Sequence, residues 1–151
     1  MRYYDDLNIG DRHSGGPVTV TEEDIIAFAR QFDPQPFHLD ADAAEKSLFR
    51  GLAASGWHTA ALTMRMIVGG EGRLAGGFVG LGVDEMAWPT ATRPGDVLRV
   101  ESEVLEKRLT SRPDRGIARI RTITYNQKGE VVQRLVANLL VPVRQHAEAA
   151  E

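Results

Sequence analysis

The chain has 151 residues, 42% hydrophobic and 26% charged, which predicts one folded domain with a proper core and argues against wholesale disorder. Its net charge is -3 with both signs mixed along the chain, unlike the basic stripe of a nucleic-acid binder, and the lack of cysteine removes disulfides, a thiol nucleophile and cysteine-type zinc sites. No apolar run is long enough to span a bilayer and the first six residues lack the apolar core of a signal peptide, so a cytoplasmic protein is expected.

Residues 1–17 are polar and glycine-rich, and a short strand is expected over Val18–Val20. Thr21 fits a helix N-cap, since Glu22, Glu23 and Asp24 fill a first turn that favours negative charge. Ile25, Phe28, Ala29 and Phe32 then recur at helical spacing as one apolar stripe. This helix delivers the stretch Phe32–Asp40, read Phe-Asp-Pro-Gln-Pro-Phe-His-Leu-Asp. Each proline fixes its own φ and pushes the residue before it, Asp33 and Gln35, out of the helical region. A stiff, extended loop carrying Asp33 and His38 is predicted, and stiffness suits two side chains that converge on one reacting atom. The competing reading is a structural pair, with Asp33 capping the loop and His38 satisfied by backbone. Asp40 is a second N-cap, opening a short helix through Ala41–Lys46.

Leu52–Thr59 runs into Ala60–Val68, a segment apolar nearly all round, which predicts a central helix buried on every side and ended by Gly69-Gly70. Within it His58 reads as a satisfied core histidine, and Trp57, Met64 and Met66 as core packing. From Gly76 the period changes to two. Phe78–Trp88 is a strand whose Gly80 and Gly82 mark a bulge or a close backbone approach. Pro94-Gly95-Asp96 makes a turn, and Leu98–Lys107 and Ile117–Tyr125 are strands separated by a loop at 112–116. Asn126–Gly129 is a hairpin turn leading to a strand over Val131–Val143. The order gives an α+β fold: an antiparallel sheet of about four long strands wrapped around a buried central helix, as a single domain over 1–145 with a flexible tail at 146–151. No cluster of His, Asp and Glu has metal-ligand spacing, and no glycine-rich phosphate loop is present.

Asp33-Pro-Gln-Pro-Phe-His38, followed by Ala54-Ser55-Gly56 at the head of a buried helix, resembles the MaoC-like dehydratases, (R)-specific enoyl-CoA hydratases of hot-dog fold. Their motif reads Asp-x-Asn-Pro-x-His; Asp33, Pro36 and His38 match it in register, and Gln35 stands in place of asparagine. A family Ala-His-Gly at the start of the central helix is here Ala54-Ser55-Gly56, and Pro94-Gly95-Asp96 matches a further common element. The resemblance implies a hydratase or dehydratase on 2-enoyl-CoA thioesters, with no cofactor beyond the CoA of the substrate. It also implies a homodimer, or a higher oligomer of dimers, with the site between two subunits. Asp33 and His38 would be the catalytic pair, sharing the roles of base for water and acid for the α-carbon. Gln35 would orient the loop through its amide. Ser55 serves as helix N-cap and also lies where the family has its pocket histidine. The Gly56 backbone N–H, at a helix start that favours negative charge, would stabilise the thioester oxygen, with glycine leaving room for the thioester to approach. Two rivals carry the same fold: an acyl-CoA thioesterase, and a non-catalytic acyl-CoA-binding subunit suggested by Gln35 and Ser55.

Overall fold

In the computed structural model, which describes residues 2–144, a five-stranded antiparallel sheet packs on one long helix. The predicted tail at 146–151 lies outside the described residues. The elements are β1 (Arg12–Thr19), α1 (Glu22–Phe32), α2 (Pro36–Leu39), α3 (Ala41–Glu45), α4 (Gly56–Gly69), β2 (Val79–Ala87), β3 (Val97–Leu109), β4 (Arg115–Tyr125) and β5 (Val131–Pro142). The strands lie in the order β1-β3-β4-β5-β2, each antiparallel to its neighbour. This is the α+β arrangement expected, with one more long strand than the sequence reading gave.

The extra strand is β1. Its Gly15-Gly16-Pro17 reads as a turn, yet the chain pairs with β3 from Arg12 opposite Glu103 to Thr19 opposite Val97, absorbing the irregularity between Gly15 and Val18. Glycine is needed there for a long-range reason: a Cβ on Gly15 would lie 2.3 Å from the Met66 carbonyl oxygen at the end of α4. Gly70 faces the same crowding, with the carbonyl oxygens of Met66 and Ser14 both 2.7 Å from a Cβ at that position. It is therefore not a left-handed helix cap, and its φ is -100°.

Two buried clusters fill the interior. One gathers Val20, Ile25, Ala44, Leu52, Leu62, Met66, Leu98 and Val132 around α1 and α4. The other joins Tyr4, Leu7, Leu74, Val104, Ala118, Leu139 and Val141 at the opposite end. Burying a side chain such as Ile25 or Leu98 contributes about 1.5–3 kcal/mol relative to leaving it exposed.

The central helix departs from its prediction in one respect. His58, Thr59, Leu62, Thr63 and Met66 are buried, but Trp57, Met64 and Val68 are exposed at 60%, 46% and 46%. The helix is covered on one side only, and the exposed side is apolar too. Beneath it Thr63 of the helix bonds to Thr124 of the sheet at 2.7 Å, and within the sheet Ser102 bonds to Thr122 at 2.8 Å. Among the described residues no helix is long and apolar enough to cross a membrane.

Candidate active site

α1 opens as the sequence indicated, with Thr21 Oγ1 accepting from the Asp24 amide at 3.1 Å. It ends at Phe32 because Pro34 bars the helical conformation to Asp33, which adopts φ -152°, ψ 66°. The Asp33 amide still donates to the Ala29 carbonyl at 2.9 Å, so its carboxylate is fixed at the end of α1. The extended stretch stops at Gln35. Pro36 occupies the first position of α2, where its missing N–H has no intrahelical acceptor to lose, and one turn carries His38. The single extended loop read from the sequence is corrected here: the second proline starts a helix. Asp40 caps α3 through bonds from the amides of Asp42 and Ala43.

The turn sets His38 against Asp33, with Nε2 3.3 Å from Oδ2. The imidazole is buried, and its Nδ1 lies 2.6 Å from the Ala53 carbonyl oxygen. A carbonyl only accepts, so Nδ1 carries the proton and Nε2 is the nitrogen turned toward the carboxylate. Phe37 meets the ring edge-on at 4.6 Å, and Phe49 packs at 5.8 Å. Gln35 donates from Nε2 to Asp33 Oδ1 at 2.6 Å, the orienting contact expected of it, and the Ser55 hydroxyl bonds to the same carboxylate. Burial alone would raise the Asp33 pKa, but the Ser55 and Gln35 hydrogen bonds, joined by the attraction of His38 when its ring is protonated, outweigh it and hold the carboxyl below its ordinary range. Asp33 is an anion at neutral pH. It stands beside an imidazole of fixed tautomer, an arrangement able to hold one water and exchange a proton with it.

Ser55 is both cap and site neighbour: its Oγ accepts from the Trp57 amide at 3.3 Å while its hydroxyl serves Asp33. Gly56 begins α4, where an amide has no intrahelical acceptor. The space beside Gly56 is not left open, however. A Cβ there would lie 2.7 Å from Cδ2 and Cε2 of Trp88. Glycine is required for the indole, which correlates α4 with the residue just after β2. Trp88 in turn meets Trp57 edge-on at 5.3 Å and donates Nε1–H to Gln133 Oε1 at 2.8 Å. Gln133 is fully buried, and its Nε2 has no partner among the described residues.

His58 is buried and stacked on Phe28 at 4.9 Å, as a core histidine would be, but its Nδ1 has no hydrogen-bond partner among the described residues. Burial lowers its pKa, with Arg65 adding to the effect and Asp24 opposing it. A cavity of about 370 Å³ runs along α4, between Ala60, Met64 and Ile67 on one side and Val83, Leu135 and Ala137 on the other. Its wall is apolar apart from Thr63, Ser102, Thr122 and His13. Among the described residues no three His, Asp or Glu side chains meet as a metal site.

The sequence reading therefore named the residues that gather here, Asp33, Gln35, His38, Ser55 and Gly56, and missed Trp88, Gln133 and the Ala53 carbonyl. A lone tryptophan at a strand end and a glutamine in an apolar strand give no local signal; a backbone acceptor for His38 is one of the two readings of the motif, but the sequence does not say which carbonyl it is.

Comparison with known proteins bears on what the site does. The family model for the MaoC like domain matches residues 9–126. The uncharacterized protein YdeM of Bacillus subtilis (strain 168) is 34% identical over 125 residues, covering 82% of this chain and 87% of that protein. Among solved structures, the MaoC-like dehydratase of Rhodospirillum rubrum gives a TM-score of 0.91 at 51% identity, over 95% of this chain and 99% of that one. The unliganded R-hydratase PhaJ1 of Pseudomonas aeruginosa gives 0.73 at 30% identity, over 93% and 85% of the two chains.

Proposed function

Because the chain belongs to the MaoC-like domain family, we propose that it adds water to 2-enoyl-CoA thioesters, or removes it from the 3-hydroxyacyl products, with Asp33 and His38 as the acid–base pair. The observation that carries this reading is the 3.3 Å approach of His38 Nε2 to Asp33 Oδ2, with the far nitrogen bonded to Ala53 and the far carboxylate oxygen to Gln35. In the reaction, water held by the pair gives up a proton to it as the water oxygen bonds C3 of the enoyl group. The electron pair of the double bond moves toward the thioester, and the pair returns a proton to C2. Negative charge grows on the thioester oxygen between these events. The amide of Gly56 at the head of α4 is suited to receive it, being a free donor at the positive end of the helix. The apolar cavity along α4 would take the acyl chain, and the CoA portion would extend outward as part of the substrate, with no separate cofactor.

A second copy of the chain fits this reading. β2 is an edge of the sheet, and its Val79, Leu81 and Val83 are 60%, 52% and 52% exposed; Val83 lines the cavity together with the exposed Met64 and Val68 of α4. A homodimer pairing along β2 would cover both and wall the cavity.

The test is loss of enoyl-thioester absorbance with crotonyl-CoA and a longer trans-2-enoyl-CoA, run beside folded Asp33→Asn and His38→Ala. Turnover by the wild type, with each variant reduced about a hundredfold or more, is expected. Release of free CoA in place of the 3-hydroxyacyl product would make the protein a thioesterase. Binding of acyl-CoA without turnover would make it a binding subunit.

A further inference from the structure

We propose that Arg93 is a positioning residue for His38, acting through the chain segment 49–53; the catalytic consequence rests on the hydratase reading above, the structural one does not. His38 owes its tautomer to a single acceptor, the Ala53 carbonyl oxygen 2.6 Å from Nδ1. That carbonyl belongs to neither helix nor strand, so nothing in regular secondary structure fixes the direction of its peptide. The N–H of the same peptide, that of Ala54, orients it through the Thr92 carbonyl, and Arg93 holds the chain that leads into it. Its Nη1 donates to the carbonyls of Gly51 at 2.8 Å and Leu52 at 3.2 Å, and its Nη2 donates to that of Phe49 at 2.5 Å.

Three carbonyl dipoles converge on one cation, and the backbone turns unusually to allow it. Arg50 takes φ 54° and Gly51 φ 155°. Residues on either side of the grip are fastened as well. The Ala53 amide donates to the Phe37 carbonyl at 3.2 Å, and the Ala54 amide to the Thr92 carbonyl at 2.8 Å. Arg93 is itself anchored, since its amide donates to Asp96 Oδ2 at 2.8 Å, and Asp96 Oδ1 accepts from Gln127 at 3.0 Å. The gripped segment also carries Phe49, whose ring packs on Phe37 at 5.0 Å and on His38 at 5.8 Å. Release of Arg93 would loosen the segment leading into the acceptor that selects the tautomer, along with the ring that flanks His38.

The role needs a guanidinium. Its planar fork reaches three acceptors from a pre-set geometry, which a lysine ammonium on a flexible stem does not reproduce. Arg93→Lys therefore keeps the charge and loses the grip.

The experiment pairs Arg93→Lys and Arg93→Ala with wild type in two measurements. The first is nitrogen-15 NMR of the histidine rings at a pH where they are neutral. Wild type should show His38 protonated at Nδ1, and both variants a mixture of tautomers. The second is steady-state kinetics on a trans-2-enoyl-CoA, where kcat should fall about ten- to a hundredfold with KM changed less than about threefold. A wild-type His38 spectrum in both variants would overturn the assignment, whatever the kinetics. So would failure of both variants to fold, because a positioning role leaves the domain intact. An inert wild type would remove the hydratase reading while leaving the NMR result to decide the role of Arg93.

Discussion

Replacing Gly56 by alanine tests whether Trp88 governs the start of α4. The added Cβ would sit 2.7 Å from Cδ2 and Cε2 of the indole and 3.0 Å from Cε3. Non-bonded carbons prefer about 3.5–4.0 Å, so ring or helix must retreat by about 1 Å. Overpacking of this kind costs about 1–3 kcal/mol. If the ring yields, its bond to Gln133 breaks, and a side chain already unsatisfied at Nε2 loses its partner at Oε1 as well, which costs about 1–3 kcal/mol more. Alanine's helix propensity returns at most about 1 kcal/mol. A net destabilisation of about 1–5 kcal/mol follows from these terms. Urea unfolding followed by tryptophan fluorescence and circular dichroism measures it. The same substitution in a Trp88→Leu background should cost far less, since the clashing atoms are gone. Stability of Gly56→Ala within about 0.5 kcal/mol of wild type, or an equal loss in both backgrounds, would refute the argument.

Two other expectations bear on the site and the edge. Removing the Ser55 hydroxyl takes away one of the bonds that holds the Asp33 carboxyl below its ordinary range, so its pKa must rise. The acid limb of the kcat/KM profile, which falls as Asp33 gains its proton, should move to higher pH in Ser55→Ala; an unmoved or lower limb would show that Ser55 does not act on Asp33. Leu81→Lys and Val83→Lys place charge on the exposed edge strand and should convert a dimer to a monomer by light scattering, with the fold retained by circular dichroism. A variant that keeps the wild-type mass would move the subunit contact elsewhere.

Local signals in this chain were reliable where the cause is local. Thr21 and Asp40 cap their helices as read, and Gly129 has φ 76° in the hairpin turn before β5. The motif spacing sufficed to bring Asp33, Gln35 and His38 together, because one proline ends α1 and another begins α2 within four residues. What the sequence concealed depends on elements distant along the chain. Gly15 and Gly70 are small because β1 presses on the end of α4, where a local reading finds only a turn and a helix end, and Gly56 has Trp88 lying on it, a contact with no local sign. Periodicity likewise overstated the enclosure of α4: an apolar stripe records that a side chain avoids water in the working assembly, without saying whether its cover is this chain or another.

The two margins of the sheet differ in a way that limits how it can grow. Along β1 the outward main-chain groups of Ser14 are already taken, its amide by Glu71 Oε2 at 2.9 Å and its carbonyl by the Glu71 amide at 2.9 Å. Along β2 no such main-chain bond to another element is found among the described residues. Strand addition at Ser14 is blocked, so two molecules that joined along β2 by a two-fold axis would each use up that end. A continuous sheet made this way would terminate at ten strands, twice the five of one chain, and would cover the exposed valine and leucine of β2 in a closed particle instead of leaving them to invite open-ended fibre formation.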